Sequence, residues 1–168
     1  MEYLRDLQMD DSPHIRLEML SQARYLSGAR TLVCAVAERY GFDSCAAGQI
    51  GLAVDEALAN VIKHGYVQQP NGRIWMTIQP IQENDVVVGI KIVIEDMARQ
   101  VDVSEIKPRN LNEIRPGGLG VHIIRELMDT ATWEQRGEGG MRLTMIKRKD
   151  GKSVPSCLPE GRKGGNDD

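Results

Sequence analysis

Three short stretches of this chain combine residue types and spacings that can do chemistry. In Asp55-Glu56-Ala57-Leu58-Ala59-Asn60-Val61-Ile62-Lys63-His64, the side chains of Glu56, Asn60 and His64 fall at i, i+4 and i+8. On a helix that spacing lines them along one side. A carboxylate so placed can take a proton from an attacking hydroxyl, and an amide oxygen one turn further on can hold a magnesium ion. The same spacing also suits a solvated polar face that ends in a satisfied histidine. A second stretch, Ile92-Val93-Ile94-Glu95-Asp96-Met97-Ala98-Arg99-Gln100-Val101-Asp102, brings an apolar strand to a loop at Asp96. A carboxylate there can point into a cleft and accept a hydrogen bond from an exocyclic amine such as that of adenine. An ordinary strand-ending aspartate would read alike.

The third stretch, Arg115-Pro116-Gly117-Gly118-Leu119-Gly120-Val121, sets glycines against the start of a helix. Glycine lets the backbone approach a ligand closely, and the first N–H groups of a helix lack internal partners and favour an anion. No Gly-Lys-Ser/Thr follows, so a P-loop is excluded. The preceding segment is a loop and not a strand, so the dinucleotide fingerprint is excluded too. A hinge before a helix remains the other reading of these glycines.

The elements that must position these residues follow from periodicity. Ile15 to Leu20 alternates apolar and polar residues as a strand does, and Ser21 to Tyr40 repeats Ala and Leu at helical spacing until Gly41 stops it. Asp43 or Ser44 can cap a second helix that runs to Gly65, with Ile50, Val54, Ala57, Leu58 and Val61 as its apolar stripe. Arg73–Gln79 and Asp85–Glu95 read as strands joined through Pro80–Asn84. Met97–Gly118 reads as a long loop, of the kind that forms lids and binding segments. A helix over Leu119–Met128 and strands over Ala131–Gln135 and Met141–Lys147 complete the series. This order predicts an α+β fold, a two-layer sandwich with helices on one face of a mixed, mostly antiparallel sheet. Residues 1–149 form a single expected domain, and 150–168, without apolar periodicity, an expected disordered tail.

Composition narrows the function classes. With hydrophobic residues at 41% and aromatic residues at 4%, the core must be aliphatic and methionine-rich. The formal net charge of -3 argues against a non-specific nucleic-acid binder, which would carry a basic field. Cys34, Cys45 and Cys157 form no C-x-x-C pair and so no zinc motif. The acidic start, MEYLRDLQMDD, is unlike a signal peptide, and no apolar run reaches the roughly 20 residues of a membrane span. A cytoplasmic protein with no membrane and no direct nucleic-acid contact is expected.

Taken in this order and spacing, the three stretches resemble the ATP-binding boxes of the GHKL family, which has a histidine kinase-like ATPase fold. Within that family they are most similar to the anti-sigma-factor serine kinases. Glu56-Ala57-Leu58-Ala59-Asn60 with His64-Gly65-Tyr66 resembles their first box. Gly117-Gly118-Leu119-Gly120, followed by Ile123-Ile124-Arg125-Glu126-Leu127-Met128-Asp129, is similar to their glycine box and its helix.

The resemblance implies ATP and magnesium as cofactors, with Glu56 as general base and Asn60 as the magnesium ligand. It implies that Asp96 bonds the adenine amino group. It also implies that the backbone at Gly118, Leu119, Gly120 and Val121 meets the phosphates, and that Arg115 reaches the γ-phosphate from the loop. Lys63 and His64 receive no catalytic role. The implied activity is phosphorylation, on serine, of an anti-sigma-factor antagonist, together with sequestration of a sigma factor. The alternative is a nucleotide-gated or inactive binding module, and a homodimer is implied by the resemblance alone. Two departures stand out. Ala98 occupies a nucleotide-binding position where the family usually has glycine, and Gly140 is followed by Met141 where threonine is usual, with Thr144 further along.

Overall fold

The computed structural model describes residues 13–106 and 119–151. The expected tail from residue 152 onward lies outside them, as do Arg115 and Gly118. Strand β1 is Ile15–Leu20, and a single 3₁₀ turn at Ala23–Tyr25 leads into helix α1, Leu26–Arg39. The break after Ser21 has a physical cause. The Ser21 hydroxyl accepts the Gly72 N–H and donates to the Gln69 carbonyl, so the chain is tied to the 69–72 turn before it can wind.

Helix α2 is Ser44–Asn60, capped by the Asp43 carboxylate, which accepts the Ala46 N–H at 2.7 Å. Its last turn, Val61–Gly65, widens so that the Tyr66 N–H bonds the Val61 carbonyl five residues back. Such widened turns cluster at functional sites. Left-handed Val67 and Gln68 (φ 50° and 63°) then end the helix. Ser44–Gly65 is long and apolar enough to cross a membrane by length and composition. Its buried residues, among them Ile50, Val54 and Leu58, pack into the core instead.

Strand β2, Arg73–Glu83, is longer than its periodicity suggested, and β3, Val86–Asp96, has the expected length shifted by one residue. The connection is the tight pair Asn84 and Asp85, both at positive φ, and not Pro80–Asn84. Pro80 sits inside β2 at no cost to the ladder with β1, because that pairing ends at Ile15↔Ile78 and leaves β2 an edge beyond it. Helix α3 is Leu119–Leu127, followed by β4, Thr130–Gln135, and β5, Met141–Arg148.

The sheet order is β1-β2-β3-β5-β4, and every pairing is antiparallel, the limiting case of the mostly antiparallel sheet expected. Alternation sends Ile74, Met76 and Ile78 of β2, Ile90, Ile92 and Ile94 of β3, and Leu143 and Met145 of β5 into one core with α1, α2 and α3. That core is aliphatic and methionine-rich, as the composition required. Truncating a fully buried member such as Ile92 to alanine would cost about 2–5 kcal/mol. The core fixes the helices over the sheet. The site lies where α2, α3 and the end of β3 meet.

Candidate functional site

Gly120, in the first turn of α3, lies directly against α2. A Cβ built on it would stand 2.9 Å from Glu56 Oε2, 3.0 Å from Asn60 Nδ2 and 3.2 Å from Asn60 Oδ1. The i, i+4 pair therefore faces the start of the glycine-led helix. No side chain other than glycine leaves the two groups undisturbed. Leu119, Gly120 and Val121 are the first described residues of α3, and the opening N–H groups of a helix lack internal partners and can bond an anion. Leu119 is exposed, Gly120 is buried and Val121 is half-buried.

A cavity of about 350 Å³ opens beside this contact. Asn60, His64 and Gly65 line it from α2, Gly120, Val121 and Ile124 from α3, and Asp96, Met141 and Leu143 from the sheet. Glu56 sits at its edge beside Gly120 and is not part of the wall. Asp96 is buried, and its Oδ1 accepts two backbone N–H groups, from Ala98 at 2.8 Å and from Met141 at 3.2 Å. Among the described residues Oδ2 has no recorded hydrogen bond, which leaves it available to an amine in the cavity. Burial raises the Asp96 carboxyl above the ordinary aspartate value. The N–H bonds from Ala98 and Met141 and the nearby Arg136 charge pull the other way.

The end of β3 is held from several sides. The Tyr66 hydroxyl accepts the Met97 N–H at 2.9 Å and donates to the Arg73 carbonyl at 2.5 Å, which ties the end of α2 to the residue after Asp96. Arg136 donates to the Asp96 carbonyl at 2.7 Å and pairs with Glu95 at 3.4 Å. Its guanidinium also lies over the Trp75 ring. These contacts aim the Asp96 side chain.

Ala98 does not line the cavity. Its methyl packs toward Gly65, where an added Cβ would meet it at 2.9 Å. The methyl therefore occupies space that Gly65 vacates. Met141 does line the cavity, while Thr144 sits on the strand positions that alternate toward the opposite face of the sheet. It cannot stand in for a threonine next to Gly140. Arg99, Val101, Ile106 and Trp133 also line the cavity; the first two lie in the second stretch without an assigned role, and the other two lie outside all three stretches. Trp133 was open to discovery, because in Thr130–Gln135 the alternation puts Ala131, Trp133 and Gln135 on the helix side.

Magnesium fits the donor set only in part from protein groups. The oxygens beside Gly120 are a carboxylate and an amide, suited to a hard cation. No group of three or more His, Cys, Asp or Glu able to hold a metal occurs among the described residues. A magnesium ion held here would draw its remaining ligands from phosphate and water, its usual habit.

The profile of the family described as "Histidine kinase-like ATPase domain" matches residues 19–147. The chain is similar to the serine-protein kinase RsbW of Staphylococcus epidermidis, 32% identical over 143 residues, 80% of this chain and 86% of the relative. It is likewise similar to the serine-protein kinase RsbW of Staphylococcus aureus (strain MSSA476), 33% identical over 79% of this chain and 85% of the relative. The proteins of that name include one from Oceanobacillus iheyensis, 26% identical over 72% of this chain and 78% of the relative. Among solved structures, the mycobacterial sensor histidine kinase MprB aligns over 80% of this chain and 97% of its own, with 16% identity and a TM-score of 0.48.

Proposed function

This chain belongs to the histidine kinase-like ATPase domain family, and from that premise we propose that it is an ATP-dependent serine kinase acting on a protein substrate. The observation that carries the reading is the approach of Gly120 to both Glu56 and Asn60 beside a cavity that also holds the Asp96 carboxylate. A nucleotide laid in that cavity has an acceptor for its exocyclic amine at one end and a glycine-opened helix start at the other.

In this reading Asp96 Oδ2 accepts the adenine amino group, and its two backbone donors keep the carboxylate oriented. The first N–H groups of α3 bond the phosphate oxygens, which needs the close approach that Gly120 permits. Asn60 Oδ1 would hold magnesium, which supplies charge neutralisation on the phosphates when bound. Glu56 takes the proton of the attacking serine hydroxyl. The oxygen–phosphorus bond to the serine forms as the bond to the departing ADP breaks. Positioning and charge stabilisation do most of the work in such transfers, and general-base help adds typically about 10²–10⁴-fold.

The substrate we propose is an anti-sigma-factor antagonist, with a sigma factor as the sequestered partner and a cytoplasmic setting. The relatives' name, serine-protein kinase, supports the serine-kinase part of this reading. Residues 1–149 would act as one domain, and Arg115 and Gly118 would join the phosphate site from outside the described residues.

The test is transfer of the γ-phosphate to the cognate antagonist by the purified chain with magnesium and ATP, wild type against Glu56→Ala. Loss of transfer with nucleotide binding retained supports the kinase. Unchanged turnover would remove Glu56 as the base. Binding of ATP without transfer by the wild type would leave a nucleotide-gated module.

A further inference from the structure

The cavity has a second wall, built from the segment that follows β3. Val101 and Ile106 line it together with Trp133 of β4 and Ile124 of α3. Between them the chain makes one 3₁₀ turn, Val103–Glu105, closed by the Asp102 carboxylate accepting the Ser104 N–H at 2.8 Å. The segment belongs to no strand or long helix; its own Gln100 ties its start to the Arg136 and Gly140 carbonyls, and beyond that it is held by side chains that reach it from elsewhere. Two do so. Gln135 Nε2 donates to the Val101 carbonyl at 3.0 Å, and Arg125 Nη2 donates to the Ile106 carbonyl at 3.1 Å. The Arg125 guanidinium also lies over the Trp133 ring, 5.3 Å from its centroid.

We propose that Arg125 is a positioning residue for the nucleotide cavity, clamping Ile106 against Trp133 so that this wall is in place before ligand arrives. The inference rests on the nucleotide reading of the cavity. Arg125 does not line the cavity and so acts through the residues it holds. Its planar guanidinium can stack on an indole and donate to a carbonyl at the same time, which a lysine ammonium does less well. It sits on the helix whose first turn carries Gly120, so one rigid element sets both the phosphate end and the far wall. A wall ordered in advance spares the ligand the cost of ordering it.

The test uses the full chain with Arg125→Ala, Arg125→Lys, Trp133→Phe and Trp133→Ala, each checked for unchanged melting. In the ligand-free protein, hydrogen exchange at the Ser104 and Ile106 amides should speed up in Arg125→Ala and stay near wild type in Trp133→Phe. With magnesium and ATP, Arg125→Ala should raise the dissociation constant about tenfold, and the loss should fall on KM for ATP more than on kcat. Arg125→Lys should recover part of the affinity, and Arg125→Ala with Trp133→Ala should be no worse than the weaker single variant. Exchange and affinity within twofold of wild type in Arg125→Ala would overturn the positioning role and leave the kinase reading untouched. Faster exchange in a protein whose wild type binds no nucleotide at millimolar concentration would overturn both.

Discussion

Gly140 packs against the backbone carbonyl of Asp96 so closely that a Cβ on Gly140 would lie 1.9 Å from that oxygen. Gly140 also sits at φ +79°, where a side chain is strained whatever the space. The β4–β5 turn thereby reaches the end of β3, and the next residue, Met141, can donate its N–H to Asp96. Gly140→Ala should cost at least about 2 kcal/mol of stability and weaken nucleotide binding together with it. Chemical denaturation checks the first effect. A variant as stable as wild type would mean that the turn relaxes without disturbing Asp96.

Gly120→Ala should behave differently. The new methyl would meet the ends of two side chains, Glu56 and Asn60, which can move aside. Alanine also favours the helix by about 1 kcal/mol over glycine. Stability should hold while phosphotransfer falls at least about tenfold, because the cost lands on the placement of Glu56 and Asn60, the proposed base and metal ligand. Transfer at the wild-type rate would contradict the proposed roles of both residues.

Asp96 links the site to pH. Burial raises its carboxyl above the ordinary value of 3.8, so over that interval the folded chain holds a proton that the unfolded chain has released. Stability from this group therefore falls as pH climbs from 3.8 through the raised value, and the cost is fully present above it. Asp96→Asn removes the charge and keeps one oxygen for the Ala98 and Met141 N–H groups. Near neutral pH it should melt no lower than wild type, with the difference shrinking toward pH 3.8 and below. Adenine nucleotide affinity should nonetheless drop about tenfold, since an amide rotated to bond the backbone offers the adenine amine a donor in place of an acceptor. Wild-type affinity in Asp96→Asn would exclude the proposed contact.

Ala98→Gly tests the departure from the family pattern. The methyl lies toward Gly65 and outside the cavity wall, so nucleotide affinity should stay within about twofold. Stability should fall by about 1 kcal/mol from the lost burial and the freer unfolded chain. A large gain in affinity would show that the methyl crowds the purine after all.

Much of the fold is legible in the sequence. Strand β1 falls where alternation puts it, and α3 ends at Leu127, one residue short of the expected Met128. Glu56 and Asn60 share the side of α2 that the i, i+4 spacing put them on, while the approach of Gly120 to them, and the place of Asp96 in one cavity with Asn60 and Gly120, answer to the family resemblance and not to any local period. The β2–β3 turn was misplaced because Pro80 is a turn residue in most contexts. Its tolerance depends on β1 stopping at Ile15, a fact about a strand some 60 residues away. Arg99, Val101, Ile106 and Trp133 received no role for a related reason. Their place in one cavity comes from packing between α3 and β4, which no local period encodes. The Asp102 cap over Ser104 was local enough to find, and Asp-Val-Ser is a recognisable signal for such a turn.

The widened winding at Val61–Gly65 sets a compass bearing for whatever follows it. Each residue in a helix turns the chain by about 100°, so one residue fewer between Asn60 and Tyr66 would swing the tyrosine hydroxyl away from Met97 and Arg73. Asp96, the proposed partner of the adenine amine, would then lose its brace while Glu56 and Asn60 stayed where they are. A one-residue deletion there should uncouple the two ends of the nucleotide cradle, leaving phosphate grip without base discrimination.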